Sequence, residues 1–378
     1  MNQDRPEYVS AINADATGSP IRSAAKPSGP VKRTRKVMNL ETGAKPAPTI
    51  SDVARLAQVS EATVSRALRA FPQVRPDLRD RVLAAAEELS YVTDTNASRL
   101  ASGITRTIGL VAPQLTTWYV SQLSAGINDI MQPAGLDLLI SALSSPSRRD
   151  ELRSGAKHFR QRVDGVVLVD AFVGPDWTAG IGSPPAIVVG EELNAGNSLG
   201  IDDVLGGELA VRHLLRLGHQ QIAVIGGSSP TARFSPVSEL RTRGAALALA
   251  EAGLEIHTTV DGLFSIAGGL GAARELLRLP KRQRPTALFC LSDEMAFGAL
   301  QAARELDVAV PDEISIVGFD DHPVAESVGL TTIRQPVRRL GQRAAQRLLL
   351  ADGIPVTGHE RLPIELVVRS SSSAPRAT

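Results

Sequence analysis

A single cysteine, Cys290, stands in a chain of 378 residues, so no disulfide framework holds this protein together. It lies in the apolar run ALFCLS and reads as a buried core thiol. Aromatic residues amount to only 3%, which makes each of the two tryptophans conspicuous. No stretch approaches the roughly 18 apolar residues of a membrane span. The N-terminus lacks the compact apolar segment of a secretory signal. A cytoplasmic protein with no membrane partner is expected. Catalytic signatures are missing as well: there is no G-x-S-x-G elbow, no Walker A loop and no H-E-x-x-H. The six histidines are scattered. HLLRLGH at 213–219 reads as a helix end closed by Gly218. GGLGAA at 268–273 has neither a clear strand before it nor the full G-x-G-x-x-G, so it is a weak dinucleotide signal. The sequence therefore predicts no enzyme, no metal and no cofactor.

The length suggests two or three domains. A net charge of +1 hides an asymmetry. Residues 1–106 carry 16 Lys and Arg against 11 Asp and Glu, whereas residues 107–378 carry 25 against 29. A basic head on an acidic body points the head toward a polyanion. Residues 1–48 are rich in Ala, Pro, Ser, Gly and charge without periodicity, and are expected to be disordered. Within them VKRTRK at 31–36 reads as solvated tail, and Met38 stands as an alternative start.

Helical periodicity begins at Pro48. Ile50, Val53, Ala54 and Ala57 fall on one face of a short helix that Thr49 or Ser51 can cap. Gln58, Val59 and Ser60 make a tight turn, and Ser60 is a good N-cap for a second helix. Val64, Ala67 and Leu68 face inward there, leaving Glu61, Ala62, Ser65, Arg66 and Arg69 outside. A third helix carries the stripe Val82, Leu83, Ala86 and Leu89. Two short helices joined by a tight turn and braced by a third make a helix-turn-helix, whose second helix fits a DNA major groove.

From 107 onward apolar runs (TIGLVAP, LDLLISAL, VDGVVLV, AIVVG, IAVIGG, ALFCLS, ISIVGFD) alternate with helix-length segments. Unbroken Val, Ile and Leu runs indicate strands buried on both faces, and the alternation predicts doubly wound parallel α/β sheets. Six or so units on each side of a mid-chain boundary suggest two lobes. In such sheets ligands bind beyond the carboxyl ends of the strands.

The order of these parts resembles the lac/gal repressor family. TISDVARLAQVSEATVSRAL, VRPDLRDRVLAAAEELSYV, LASGITRTIGLV and the late RLPIELVVRSS carry the resemblance, which covers roughly 49–370. It implies a helix-turn-helix head over 49–92, a hinge over 93–106, a periplasmic-binding-protein-like body over 107–370 and a tail over 371–378. It also implies that the chain crosses between lobes near 205, near 335 and close to the C-terminus. Lobe one would then span about 107–205 and 336–355, and lobe two about 206–335 and 356–370.

The resemblance assigns Thr49, Ser60, Glu61, Ala62, Thr63, Ser65, Arg66, Arg69 and Val74 to DNA contact. It places Leu100, with Ala97 on the same face, as a minor-groove wedge on a hinge helix that orders on operator DNA. Thr93, Asp94 and Asn96 depart from the family's proline, asparagine and apolar residue, which implies a weaker or differently tuned hinge.

For the effector the resemblance singles out Trp118 and Tyr119 after the first strand, Arg241 three residues before Gly244, Phe264 five before Gly269, and Asp293 at a strand exit. Aromatic faces can stack on a sugar ring, a guanidinium presents a planar fork, and a carboxylate can accept two neighbouring hydroxyls. Asp203 and Asp320 also match family positions and read as structural. The expectation is a dimeric, operator-binding repressor controlled by a small molecule, most simply a carbohydrate. A purine or nucleoside co-repressor is the alternative. A solute-binding protein without a DNA role would share the body but lack the helix-turn-helix.

Overall fold

The computed structural model describes residues 48–91, 104–113, 115–142, 162–169, 185–190, 197–226, 236–350 and 358–376. They form two units that divide after Thr93.

The first unit is three helices, α1 (Ile50–Leu56), α2 (Glu61–Leu68) and α3 (Pro76–Glu88). Thr49 caps α1 reciprocally. Its hydroxyl accepts from the Asp52 amide, while the Asp52 carboxylate accepts the Thr49 amide at 2.9 Å. Gln58, at φ 51°, turns the chain, and the Ser60 hydroxyl then accepts the Thr63 amide at 3.2 Å to start α2. Pro76 opens α3, where a missing N–H costs nothing. The core is Val53, Ala54, Ala57, Val64, Ala67, Val74, Val82, Ala85 and Ala86. The third-helix stripe needs one correction. Leu83 is 46% exposed and Ala85 takes its place, because residues three and four apart, here 82, 85 and 86, share a helix face.

The second unit holds two sheets. In chain order its elements are β1 (Thr107–Ala112), α4 (Trp118–Met131), β2 (Asp137–Ala142), β3 (Gly165–Val169), β4 (Ala186–Val189) and β5 (Asn197–Gly200). Then come α5 (Asp203–Arg216), β6 (Ile222–Gly226), α6 (Pro236–Glu251), β7 (Thr258–Asp261), α7 (Ile266–Leu277), β8 (Ala287–Cys290), α8 (Asp293–Glu305) and β9 (Ser315–Asp320). The last are α9 (Pro323–Ser327), β10 (Thr331–Arg334), α10 (Val337–Leu349), β11 (Gly358–Arg361) and β12 (Glu365–Val367). One sheet runs β11-β5-β4-β3-β1-β2 and the other β12-β10-β9-β8-β6-β7. All pairings are parallel except that of β10 with β12.

The seven apolar runs are all strands. Six are buried on both faces, and β2 is half exposed because it lies at a sheet edge. Five further short strands were not read from the sequence. They hold three or four residues each and include polar ones, such as GHER for β11. Their pairing comes from the sheet rather than from their own apolarity. Strand β11 also corrects a boundary. It pairs with β5 in the first sheet, so lobe one reaches Arg361 rather than 355, and the last crossing runs through 362–364.

Close helix packing on the first sheet depends on two glycines. A Cβ at Gly126 of α4 would lie 2.0 Å from the Arg338 carbonyl oxygen, and one at Gly341 of α10 would lie 2.2 Å from that of Leu123. Gly341→Ala must push the two helices apart. The expected cost is about 1–3 kcal/mol, read as a lower urea midpoint for the body.

Candidate functional site

Helix α2 presents a continuous outer face. Glu61, Ala62, Arg66 and Arg69 are exposed and Thr63 and Ser65 half-buried, because Val64 and Ala67 anchor the opposite side. Among the described residues neither the Arg66 nor the Arg69 guanidinium is engaged in an ion pair or hydrogen bond. Glu61 accepts a hydrogen bond from the Ser51 hydroxyl, which links α2 to α1. Thr49 and Ser60 are exposed, with their hydroxyls committed to the caps. Val74 differs from the expected DNA-facing position. Only 9% exposed, it packs into the core of the head, where an apolar branched side chain gains most. Leu100, Ala97 and the departures at Thr93, Asp94 and Asn96 lie outside the described residues.

The second site lies where the ends of the two sheets meet. In each sheet the winding direction reverses beside the first strand, between β1 and β3 and between β6 and β8, and this is where an open α/β sheet leaves a crevice. Trp118 begins the helix after β1, Phe264 follows β7, Asp293 follows β8, and Asp320 ends β9. Trp118, Tyr119 and Phe264 are half-buried against the body's core.

Asp293 is fully buried at the start of α8. It does not cap that helix; the Ser292 hydroxyl does, accepting from the Met295 amide. The Asp293 carboxylate instead accepts the Thr332 hydroxyl at 2.6 Å and the His322 amide at 2.8 Å. Gly318 makes room for it, since a Cβ there would lie 2.1 Å from the Asp293 Oδ1. Burial raises the Asp293 pKa to about 6.

Arg241 is not free to offer its whole fork, as the resemblance implied. Its Nε donates to Asp203 at 2.8 Å, its Nη1 donates to the Leu291 carbonyl at 2.6 Å, and the guanidinium lies 3.5 Å from the Phe319 ring centroid. Asp203, read from the sequence as structural, is the partner that holds it. Asp320 is buried and accepts from Gln335 Nε2 at 2.5 Å. Burial, opposed by the nearby Arg241 and reinforced by Asp293, pushes its pKa up to about 8. Asp320 and Asp321 have φ of 129° and 58°, backbone conformations that cost non-glycine residues roughly 1–3 kcal/mol each and gather at functional sites.

Two carboxylates with raised pKa values bind protons more tightly folded than unfolded. Both states are protonated below about pH 4, so the stability these two groups contribute is lost as pH rises through the window from about 4 to about 8. Asp320→Asn keeps an acceptor for Gln335 and is expected to flatten this fall. Thermal melts at pH 5 and pH 8 check it, and an unchanged gap between the two pH values would contradict the assignment.

Sequence reasoning missed the neighbours. The His322 ring packs on Trp118, centroids 5.1 Å apart, and meets Phe297 edge-on at 5.3 Å. Burial raises the Glu294 pKa, and the nearby Trp118 backbone N–H works against that rise. The one available signal was the position of His322 just after the strand run, in VGFDDHP. Among the described residues there is no cluster that could hold a metal ion and no helix long and apolar enough to cross a membrane.

The family profile described as bacterial regulatory proteins, lacI family, matches residues 49–94, and that of a periplasmic binding protein-like domain matches 211–372. The HTH-type transcriptional repressor PurR of Photobacterium profundum is 31% identical over 85% of this chain and 98% of its own length. The ribose operon repressor of Haemophilus influenzae is 32% identical over 84% of this chain and 96% of its own. The crystal structure of the lac repressor dimer bound to operator and the anti-inducer ONPF superposes with a TM-score of 0.75 at 30% identity, covering 87% of this chain and 100% of that one.

Proposed function

Because this chain belongs to the lacI family of bacterial regulatory proteins, DNA-binding transcription regulators under effector control rather than enzymes, we propose that it is a cytoplasmic, dimeric repressor released by a neutral carbohydrate. Two copies of α2 would read the half-sites of a near-palindromic operator, as the two-fold symmetry of a dimer requires. The lac repressor structure, a dimer on operator, supports that arrangement.

The observation that carries the effector class is the charge balance of the cleft. Arg241 is neutralised by Asp203. Arg334 and Arg369 are both held by Asp321, at 2.6 and 2.7 Å. That leaves Asp293 and Glu294 without an ion-pair partner among the described residues, while Asp320, its pKa raised to about 8, keeps its proton at neutral pH and adds little charge. Carboxylates accept sugar hydroxyls and repel phosphates and uronates. Trp118 and Phe264 supply ring faces for the apolar side of a sugar.

A thermal-shift panel on the purified protein tests the reading, because a ligand that binds only the folded state raises its melting temperature. Neutral sugars are expected to raise it, while their phosphorylated and carboxylated forms leave it unmoved. A shift by purines alone would replace the carbohydrate reading with a co-repressor.

A further inference from the structure

The contacts around Trp118 join the two lobes. Trp118 is the first residue of α4 and belongs to the β1 side of the body. His322, which packs on its ring, and Glu294, near its amide, follow β9 and β8 of the other sheet, as does Phe297, which packs on His322. The first turn of a helix leaves its N–H groups without intrahelical acceptors and carries a partial positive charge. Thr117 satisfies one of these donors from within the lobe by accepting from the Val120 amide. From across the cleft the Glu294 carboxylate, whose pKa burial raises, faces the Trp118 N–H, which works against that rise. On the same residue the indole lies tilted at 49° to the His322 ring, and the Phe297 ring braces His322 from the side at 82°. The His322 backbone is fixed in turn, because its amide donates to the buried Asp293 at 2.8 Å.

From this geometry we propose that His322, braced by Phe297, and Glu294 clamp Trp118 and so latch the two lobes together across the cleft. Opening the cleft must separate the Trp118–His322 ring pair and draw the Glu294 carboxylate away from the positive end of α4. An effector that stacks on Trp118 must take the place of the His322 ring, so occupancy and the latch compete for the same indole face. His322 is also tied to the Asp293 that the functional reading places against the effector. Replacing the ring contact therefore bears directly on that carboxylate.

The test needs neither DNA nor effector, so its failure and a failure of the functional reading are separate events. Trp177, the only other tryptophan, is replaced by Phe to leave Trp118 as the sole indole emitter. Acrylamide quenching of the full chain then measures how accessible Trp118 is. The expected result is weak quenching in Trp177→Phe, with a several-fold larger quenching constant after adding either His322→Ala or Glu294→Gln. His322→Phe, which keeps a ring in place, should restore the protection. The glutamine variant removes the charge while nearly preserving shape, so it carries the test if His322→Ala fails to fold. A Trp118 that is freely quenched in Trp177→Phe, or one whose quenching is the same after Glu294→Gln, would overturn the latch.

Discussion

Asp293→Ala is expected to abolish the response to effector while leaving operator binding intact. The carboxylate is buried and its two protein hydrogen bonds, from Thr332 and the His322 amide, use about half of the roughly four acceptor sites a carboxylate offers. The remaining lone pairs can accept ligand hydroxyls. Each such charge-assisted bond contributes about 1.5–3 kcal/mol, so losing one weakens binding by about 10- to 150-fold and losing two removes it from a practical range. The head forms a separate unit with its own core, and its DNA affinity should not fall. In cells, a repressor released by its inducer would stay repressing in this variant, whereas a co-repressed one would stay derepressed. Calorimetric titration and a gel shift with operator measure the two halves. The substitution also strands the Thr332 hydroxyl and the His322 amide, at about 1–3 kcal/mol for an unsatisfied buried group. A thermal melt of the same sample separates that cost from lost binding. A variant that binds the effector with unchanged affinity would remove Asp293 from the site.

What could be read from the sequence follows from how each feature is encoded. The helix-turn-helix was legible because caps, turn and apolar spacing are local: Thr49, Ser60 and the buried Val53, Val64 and Val82 all follow from spacing along a single stretch. The central strands were legible because burial on both faces demands unbroken apolar runs. Strand β11 was not, because His359, Glu360 and Arg361 are paired by β5 and by the arginines of α10 rather than by apolarity; Arg343 donates twice to Glu360. The candidate site shows the same split. Asp293 and Trp118 could be placed by the resemblance and by the apolar strand runs they follow, whereas Phe264, after a strand the sequence did not show, rested on the resemblance alone. The commitment of Arg241 to Asp203 and the Leu291 carbonyl joins positions 38 and 50 residues apart, which spacing along the chain does not encode. The approach of His322 to Trp118 spans two sheets and is likewise a product of the fold.

On the DNA side the largest expected effect is that of Arg66→Ala. Arg66 sits in the last turn of α2 with its guanidinium exposed and, among the described residues, without a protein partner. Its removal costs no folding contact, so whatever is lost is lost to DNA. A guanidinium that donates two bonds to a guanine edge discriminates against other bases by about 1–3 kcal/mol. One that only meets phosphate adds affinity for every sequence alike and steepens the salt dependence by about one ion. Gel shifts with operator and with random duplex, each at several salt concentrations, tell these apart. A base-reading Arg66 gives a loss of about 5- to 150-fold on operator with little on random DNA. Equal losses on both, with a shallower salt slope, would make Arg66 a backbone contact. Base choice would then rest on the exposed Glu61 and Ala62 at the start of the helix, where a carboxylate can accept from a cytosine amino group and a methyl can pack on that of thymine. Glu61 is held toward α1 by the Ser51 hydroxyl. Ser51→Ala should therefore loosen the preference at that base without changing non-specific affinity, and an operator selection that returns the same sequence for Ser51→Ala and for the parent would show that Glu61 reads no base.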